Sequence, residues 1–300
     1  MSSSAELPFV AAPAGDLAGV TETAERAAQR YGLPTPELIR LSMNGVFAAG
    51  ENTVLKVGRT TVAPDAVTTL VELLTNVGVR VPAVVAEPLV IGEFSVIPLE
   101  RIHPSGTVDW ERVGEMVATV HRLDADRVAA IYPLPWCAIF PWWQLRMMLC
   151  QAGPHLDHEA MLGLLAAVDR HLPLLDQAAN GQRVVAHGDV HPGNVVPTVD
   201  GPVLLDWDLL CTAPVGWDHA PLMRHASVWG GEAVYDAFAA GYGRSFSADP
   251  LAEAIAELRL VAATLMRVEA ATTNPAAAEE ANHRLTYWRH GRIDTPWNAQ

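Results

Sequence analysis

The periodicity of the chain changes once, near residue 100, and that change limits the possible folds more than any other feature. Up to Leu99, short β-compatible runs dominate: ELIRLS (37–42), GVFAAG (45–50), NTVLKVG (52–58), VPAVVAEPLV (81–90) and EFSVIPL (93–99), with one helical stretch from Asp65 to Asn76. From Asp109 the apolar spacing becomes helical, in WERVGEMVATVHRL, HEAMLGLLAAVDRHLPLL, GEAVYDAFAAGY and LAEAIAELRLVAATLMRV. Two strand-like runs, RVVAHGDV and GPVLLDWD, interrupt that region. The expected architecture is α+β and two-lobed. A small N-terminal antiparallel β lobe with one helix (residues 1–100) joins a large, mostly helical lobe (101–300) through the turn residues of LERIHPSG.

Half of the residues are hydrophobic, and 300 residues are enough to bury a sizeable core around a shared cleft. Twenty Lys and Arg face 34 Asp and Glu, a formal charge of -14, which argues against nucleic acid as the main partner because phosphate backbones demand a basic surplus. The acidity suits a cationic or neutral partner, or simply a soluble surface. The apolar stretch from Val128 to Leu145 is broken by Pro133, Pro135 and Pro141, so it does not read as a bilayer span. The opening MSSSAELPFVAAPAG lacks the basic start and apolar run of a secretory leader, and three cysteines (Cys137, Cys150, Cys211) are too few for a disulfide framework. A cytoplasmic location is the default expectation.

The segment richest in chemistry is HGDVHPGN, His187 to Asn194, which comes after the apolar run RVVA and so falls in a loop leaving a strand. Asp189 and Asn194 stand in the D-x-x-x-x-N spacing of a kinase catalytic loop, where the Asp accepts a hydroxyl proton and the Asn binds a metal. The next strand delivers Asp206 at its end, a hard oxygen donor of the kind that Mg-ATP sites use. Asp208 lies two residues on, on the same face of an extended segment, as a further metal-site or substrate carboxylate or as a cap for the helical residues after it. Lys56, in VLKV, has the strand setting of a phosphate-binding lysine, although a lone strand lysine is more often a solvated charge.

In the order Lys56, Asp189, Asn194, Asp206, with HGDVHPGN and then LLDWD, the chain resembles the aminoglycoside phosphotransferase and choline kinase-like family, whose motifs read HGDLHPGN and IDWE or IDFD. The likeness extends more loosely to VLKV, ATVHRLD, PLERI and PVGWDHA, and spans roughly residues 36 to 240. It implies a protein-kinase-like fold and phosphoryl transfer from ATP or GTP to a hydroxyl of a small, amine-bearing molecule such as an aminoglycoside, an amino sugar or a choline-like compound. It also implies Asp189 as general base, Asn194 and Asp206 as Mg²⁺ ligands, Lys56 as phosphate anchor, and backbone groups of Glu100 and Ile102 at the adenine. The turn Ser42-Met43-Asn44-Gly45 would cover the phosphates, with Gly45 giving the main-chain N–H groups close approach. His187 would brace the catalytic loop, and Asp218 would support it from a helix start.

The resemblance also calls for an acid on the first-lobe helix to pair with Lys56; Thr68 and Thr69 occupy that neighbourhood, and the nearest acids are Glu72 and Asp65. Other readings stand beside the leading one: a kinase of a macrolide or another metabolite, or a nucleotide-binding module with little turnover. His187, Asp189 and His191 also resemble zinc ligands, but no third histidine-rich segment completes that shell. Trp136, Trp142 and Trp143 could line a pocket for ammonium groups or simply fill the core.

Overall fold

The computed structural model describes residues 17–298, so the opening segment considered as a leader lies outside the described residues. Five strands, β1 (Glu37–Leu41), β2 (Gly45–Ala48), β3 (Thr53–Arg59), β4 (Leu89–Ile91) and β5 (Phe94–Glu100), form one antiparallel sheet in the order β1-β2-β3-β5-β4. Lys56 stands near the middle of β3, opposite Val46 on one side and Ile97 on the other. The run VPAVVAEPLV contributes only its last residues to β4 and a single bridge from Val84 to Leu99, because Pro82 and Pro88 cannot donate to a ladder.

Two helices pack on this sheet. Helix α1 (Leu17–Tyr31), which precedes the strand runs, lays Val20, Ala24, Ala27 and Ala28 against Phe47, Leu55, Val57 and Val96. Its small side chains let the helix lie close to the sheet. Helix α2 (Pro64–Asn76) starts on a proline and buries Leu70, Leu73 and Leu74 in a cluster that continues into the second lobe through Val113, Val117 and Leu204.

The second lobe is helical as expected: α3 (Trp110–His121), α4 (Ala125–Ala129), α5 (Leu145–Ala152), α6 (His158–Ala178), α7 (Ala220–Met223), α8 (His225–Trp229), α9 (Tyr235–Tyr242), α10 (Pro250–Thr273) and α11 (Ala278–His290). Aspartates at the N-caps of α3, α6 and α10 accept backbone N–H bonds and fix where those helices begin. Helices α3 and α9 touch backbone to backbone: a Cβ on Gly114 would overlap the carbonyl of Phe238, and one on Gly241 would overlap the carbonyl of Glu111. None of the described helices is long and apolar enough to cross a membrane.

Two short antiparallel ladders hold the chemical segment. One joins β6 (Val184–Ala186) to β9 (Cys211–Ala213), and the other joins β7 (Val195–Val196) to β8 (Val203–Leu204). HGDVHPGN therefore runs between the end of β6 and the start of β7, while Asp206 and Asp208 lie between β8 and β9. Of the three clustered tryptophans, Trp143 is buried with its ring 4.4 Å from that of Trp217, and Trp136 and Trp142 pack partly buried on the same core. Cys137 and Cys211 are buried among apolar neighbours, whereas Cys150 is exposed.

Candidate active site

The loop after β6 is shaped by one buried carboxylate. Asp218 accepts the backbone N–H groups of His187 and Gly188, each at 2.9 Å, and faces His121 Nε2 at 3.1 Å. His121 Nδ1 in turn meets the Tyr242 hydroxyl at 3.0 Å. Gly188 has φ +92°, and a side chain there would strike the carbonyl of Leu209. His187 uses both ring nitrogens inside the protein: Nε2 donates to Leu205 O at 2.9 Å and Nδ1 accepts the Asp189 N–H at 3.2 Å. Both residues thus hold the loop, and His187 has no nitrogen left for a zinc ion. Among the described residues no group of three or more His, Cys, Asp or Glu could hold a metal ion.

Asp206 is the only non-glycine residue with positive φ (61°) among those described, a conformation that costs energy and recurs at functional sites. Its Oδ1 lies 2.9 Å from Lys56 Nζ, and its Oδ2 is 3.7 Å from Arg40 Nη2. Asp208 Oδ2 takes both Lys56 Nζ and Asn44 Nδ2 at 2.7 Å. Asn194 donates Nδ2 to Asp189 O at 3.0 Å, which leaves Oδ1 as the free acceptor end of the amide. Asn194 Oδ1 and the carboxylates of Asp206 and Asp208 form an all-oxygen donor set of the type that Mg²⁺ accepts.

The acid beside Lys56 therefore comes from the β8–β9 turn and not from α2. Glu72 and Asp65 are exposed, and α2 turns Val67, Leu70 and Val71 toward the cleft. Burial pushes the pKa of Lys56 down, but Asp206 and Asp208 outweigh it and hold the ammonium's pKa above its ordinary value. Lys56 pulls the Asp206 carboxyl below the usual range, whereas burial raises Asp208 despite the same lysine. At Asp189 burial opposes ionisation, yet His191, Arg259 and His187 together hold the pKa well below that of an ordinary carboxylate.

A cleft of about 430 Å³ between sheet and helical lobe is lined by Lys56, Asn44, Asn194, Asp206 and Asp208 at one end and by Glu100, Arg101 and Ile102 at the other. That volume suits a nucleotide-sized ligand. The N–H of Glu100 is already taken by Ala83 O at 2.8 Å. Ser42 does not line the cleft; its N–H closes the turn on Asn44 O at 3.1 Å. At Gly45 a Cβ would lie 2.8 Å from the Phe47 ring, so its smallness serves the packing of the sheet. Gly58 does line the cleft, and a side chain there would occupy the place of the Asn44 amide.

Residues 48–282 match the model of the phosphotransferase enzyme family. The chain belongs to that family. Among solved structures, this phosphotransferase is similar to an AMP-bound spectinomycin phosphotransferase (14% identity, TM-score 0.62, 87% of this chain and 92% of that one). It is also similar to the apoenzyme of a macrolide 2'-phosphotransferase from Brachybacterium faecium (21%, 0.53, 89% and 98%) and to an amicoumacin kinase crystallised with AMP-PNP, Ca²⁺ and Ami (12%, 0.65, 91% and 96%). No curated protein matches it at significance. Family and fold make it a small-molecule kinase with the protein-kinase-like architecture.

Two side chains at the site are not evident from the sequence. Arg259, on α10, forms an ion pair with Asp189 Oδ1 and donates Nη1 to Gly188 O at 3.3 Å. Its only signal is a charge set between Leu258, Leu260 and Val261 in an apolar helix, a place where long charged side chains are rare unless paired. Arg40 sits on an exposed edge strand and leaves no local pattern, whereas Asn44, placed by the sequence in the turn over the phosphates, sends its amide across the lobes to Asp208.

Proposed function

We propose that this kinase transfers the γ-phosphoryl group of ATP, or GTP, to a hydroxyl of a small molecule, with Asp189 as the base. The observation that carries the reading is the meeting of Lys56 with Asp206 at 2.9 Å, across 150 residues of chain, at the mouth of a nucleotide-sized cleft beside Asn194. Asp189 orients the acceptor hydroxyl and takes its proton as the bond to phosphorus forms. Lys56 steadies the nucleotide phosphates, with Asp208 and Asn44 fixing its ammonium. Asn194 and Asp206 would hold Mg²⁺, which would neutralise phosphate charge when bound. Positioning and charge neutralisation carry most of the rate in this chemistry.

The first acceptors to test are amine-bearing alcohols, the class supported by the acidic charge balance and by the resemblance in the motifs: aminoglycosides, amino sugars and choline-like compounds. Macrolides and other hydroxylated metabolites form the second group. An ATP-consumption screen of the purified protein against both groups, beside Asp189→Asn, tests the proposal: turnover on one of them, lost in the variant, supports it. Magnesium-dependent ATP binding without turnover on any acceptor would instead favour a nucleotide-binding module. The mutual pairing of Lys56 with both acids, with no acid contributed by α2, is the observation that favours this slower reading.

A further inference from the structure

The catalytic loop carries a contact that the proposed mechanism does not use. Asp189 presents two oxygens to different surroundings. Oδ1 is taken by Arg259 Nη2 from α10. Oδ2 has only long contacts, 3.4 Å to His191 Nε2 and 3.4 Å to Asn194 Nδ2, and the Asp189 side chain remains 29% exposed. Arg259 is not a surface cation resting on whatever lies nearby. Its side chain is 20% exposed, its second nitrogen donates to Gly188 O at 3.3 Å, and its guanidinium lies 6.0 Å from the Trp217 ring centroid. Trp217 is itself fixed, donating Nε1 to Gly188 O at 3.2 Å. A guanidinium held at three points keeps its place when one partner changes hydrogen bonds, because its planar fork is preorganised.

We infer that Arg259 is a positioning residue that clamps Oδ1 of the base, leaves Oδ2 for the acceptor hydroxyl, and cancels the carboxylate's charge, so that an acceptor carrying an ammonium beside the reacting hydroxyl is discriminated against. This rests on Asp189 being the base and narrows the acceptor class. An amine-bearing acceptor must keep its ammonium away from the hydroxyl that is phosphorylated. The groups facing Asp189 all bear on this balance: His187 and His191 on its own loop, Asp206 after β8 and Arg259 on α10. Asp206 is already paired with Lys56, so without Arg259 the uncompensated charge at the hydroxyl's seat is that of Asp189, which attracts cations; with Arg259 the seat is close to neutral.

The test compares full-length wild type with R259K, R259M and the double variant R259M/D189N. Hydrolysis of Mg-ATP by water needs no identified acceptor and reads the positioning. We expect R259M to lower kcat about 30-fold with KM for Mg-ATP within about twofold, and R259K to recover most of the loss, since a general base that is present but misdirected loses catalysis on the order of 10²-fold or less. Ligand-observed NMR with ethanolamine and ethylene glycol, probes of similar size that differ in the ammonium, reads the charge. The affinity ratio of ethanolamine to glycol should rise about tenfold in R259M, as expected when a partly buried cation is removed, and fall back in R259M/D189N. Wild-type kcat in R259M, a loss confined to KM, or an unchanged probe ratio overturns the inference. If wild type hydrolyses no ATP, the probe ratio decides alone. Failure of the kinase reading is seen separately, as turnover that survives in Asp189→Asn.

Discussion

Asp218→Ala is the substitution whose cost can be built most directly from the structure. The carboxylate is fully buried and receives two backbone N–H groups and one histidine ring. Alanine leaves those three donors without an acceptor. Each buried unsatisfied donor costs about 1–3 kcal/mol, and removing the carboxylate recovers part of its own desolvation cost, so the net loss should be about 3–5 kcal/mol. Against the 5–15 kcal/mol typical of a folded domain, that is a large fraction, at roughly a fifth or more of the total. Asp218→Asn keeps one acceptor oxygen and should cost about half as much. His121→Phe removes one donor of the three and strands the Tyr242 hydroxyl, for about 1–2 kcal/mol. Urea unfolding monitored by circular dichroism, with m-values compared across the series, measures all three. Because Asp218 sets the backbone directly before Asp189, ATP turnover of the folded protein should also fall, by about 10- to 100-fold, as small misplacements of a catalytic group do. An alanine variant within about 1 kcal/mol of wild type and with unchanged turnover would falsify the claim that this carboxylate builds the loop.

Other outcomes rest on single contacts. Lys56→Met should weaken ATP binding about 10- to 100-fold by calorimetry, while Glu72→Gln stays within about twofold, because the lysine's acids come from the β8–β9 turn. Gly58→Ala should push the Asn44 amide off Asp208 and raise KM for ATP about three- to tenfold, with the thermal midpoint little changed, since one partly exposed hydrogen bond is lost. His219 is buried, its Nε2 has no hydrogen-bond partner among the described residues, and burial together with His121 pushes its pKa down to about 4. Between that value and the 6.5 of the unfolded chain, the unfolded state binds more protons. Stability therefore rises with pH through this window and is lost as pH falls from about 6.5 toward 4, by up to roughly 3 kcal/mol. Chemical denaturation at several pH values should show this slope, and His219→Phe should flatten it.

What could be read from the sequence was local. His187 to Asn194 is a single loop and Asp206 comes directly after one short strand, so spacing alone brought base and donors together. Lys56 is recognisable from its place in the order of motifs and not from its strand alone, but its partners are not, because which face α2 turns to the cleft depends on how Leu70, Leu73 and Leu74 pack against the second lobe. The Ser42 to Gly45 turn was located correctly, yet the direction of a glycine's missing Cβ is a property of the sheet, and here it points at Phe47. Arg259 reaches Asp189 across 70 residues, and no local pattern encodes such a contact. Helix α1 lies ahead of the strand runs, and its amphipathic pattern, with Val20, Ala24, Ala27 and Ala28 on one face against Phe47, was open to reading there.

The reciprocal glycines of α3 and α9 bear on how this lobe can be recombined with those of relatives. Each helix offers the other a bare stretch of backbone, so neither accepts a partner whose matching position carries even a methyl group. The same two helices carry His121 and Tyr242, whose bond feeds the Asp218 cluster. A chimera that takes α3 from one parent and α9 from another would need both surfaces to match at once. Crossover points that keep the segment from Trp110 to Tyr242 in a single parental block should yield folded hybrids, whereas crossovers inside it should yield insoluble ones, even when every residue lining the nucleotide cleft is retained.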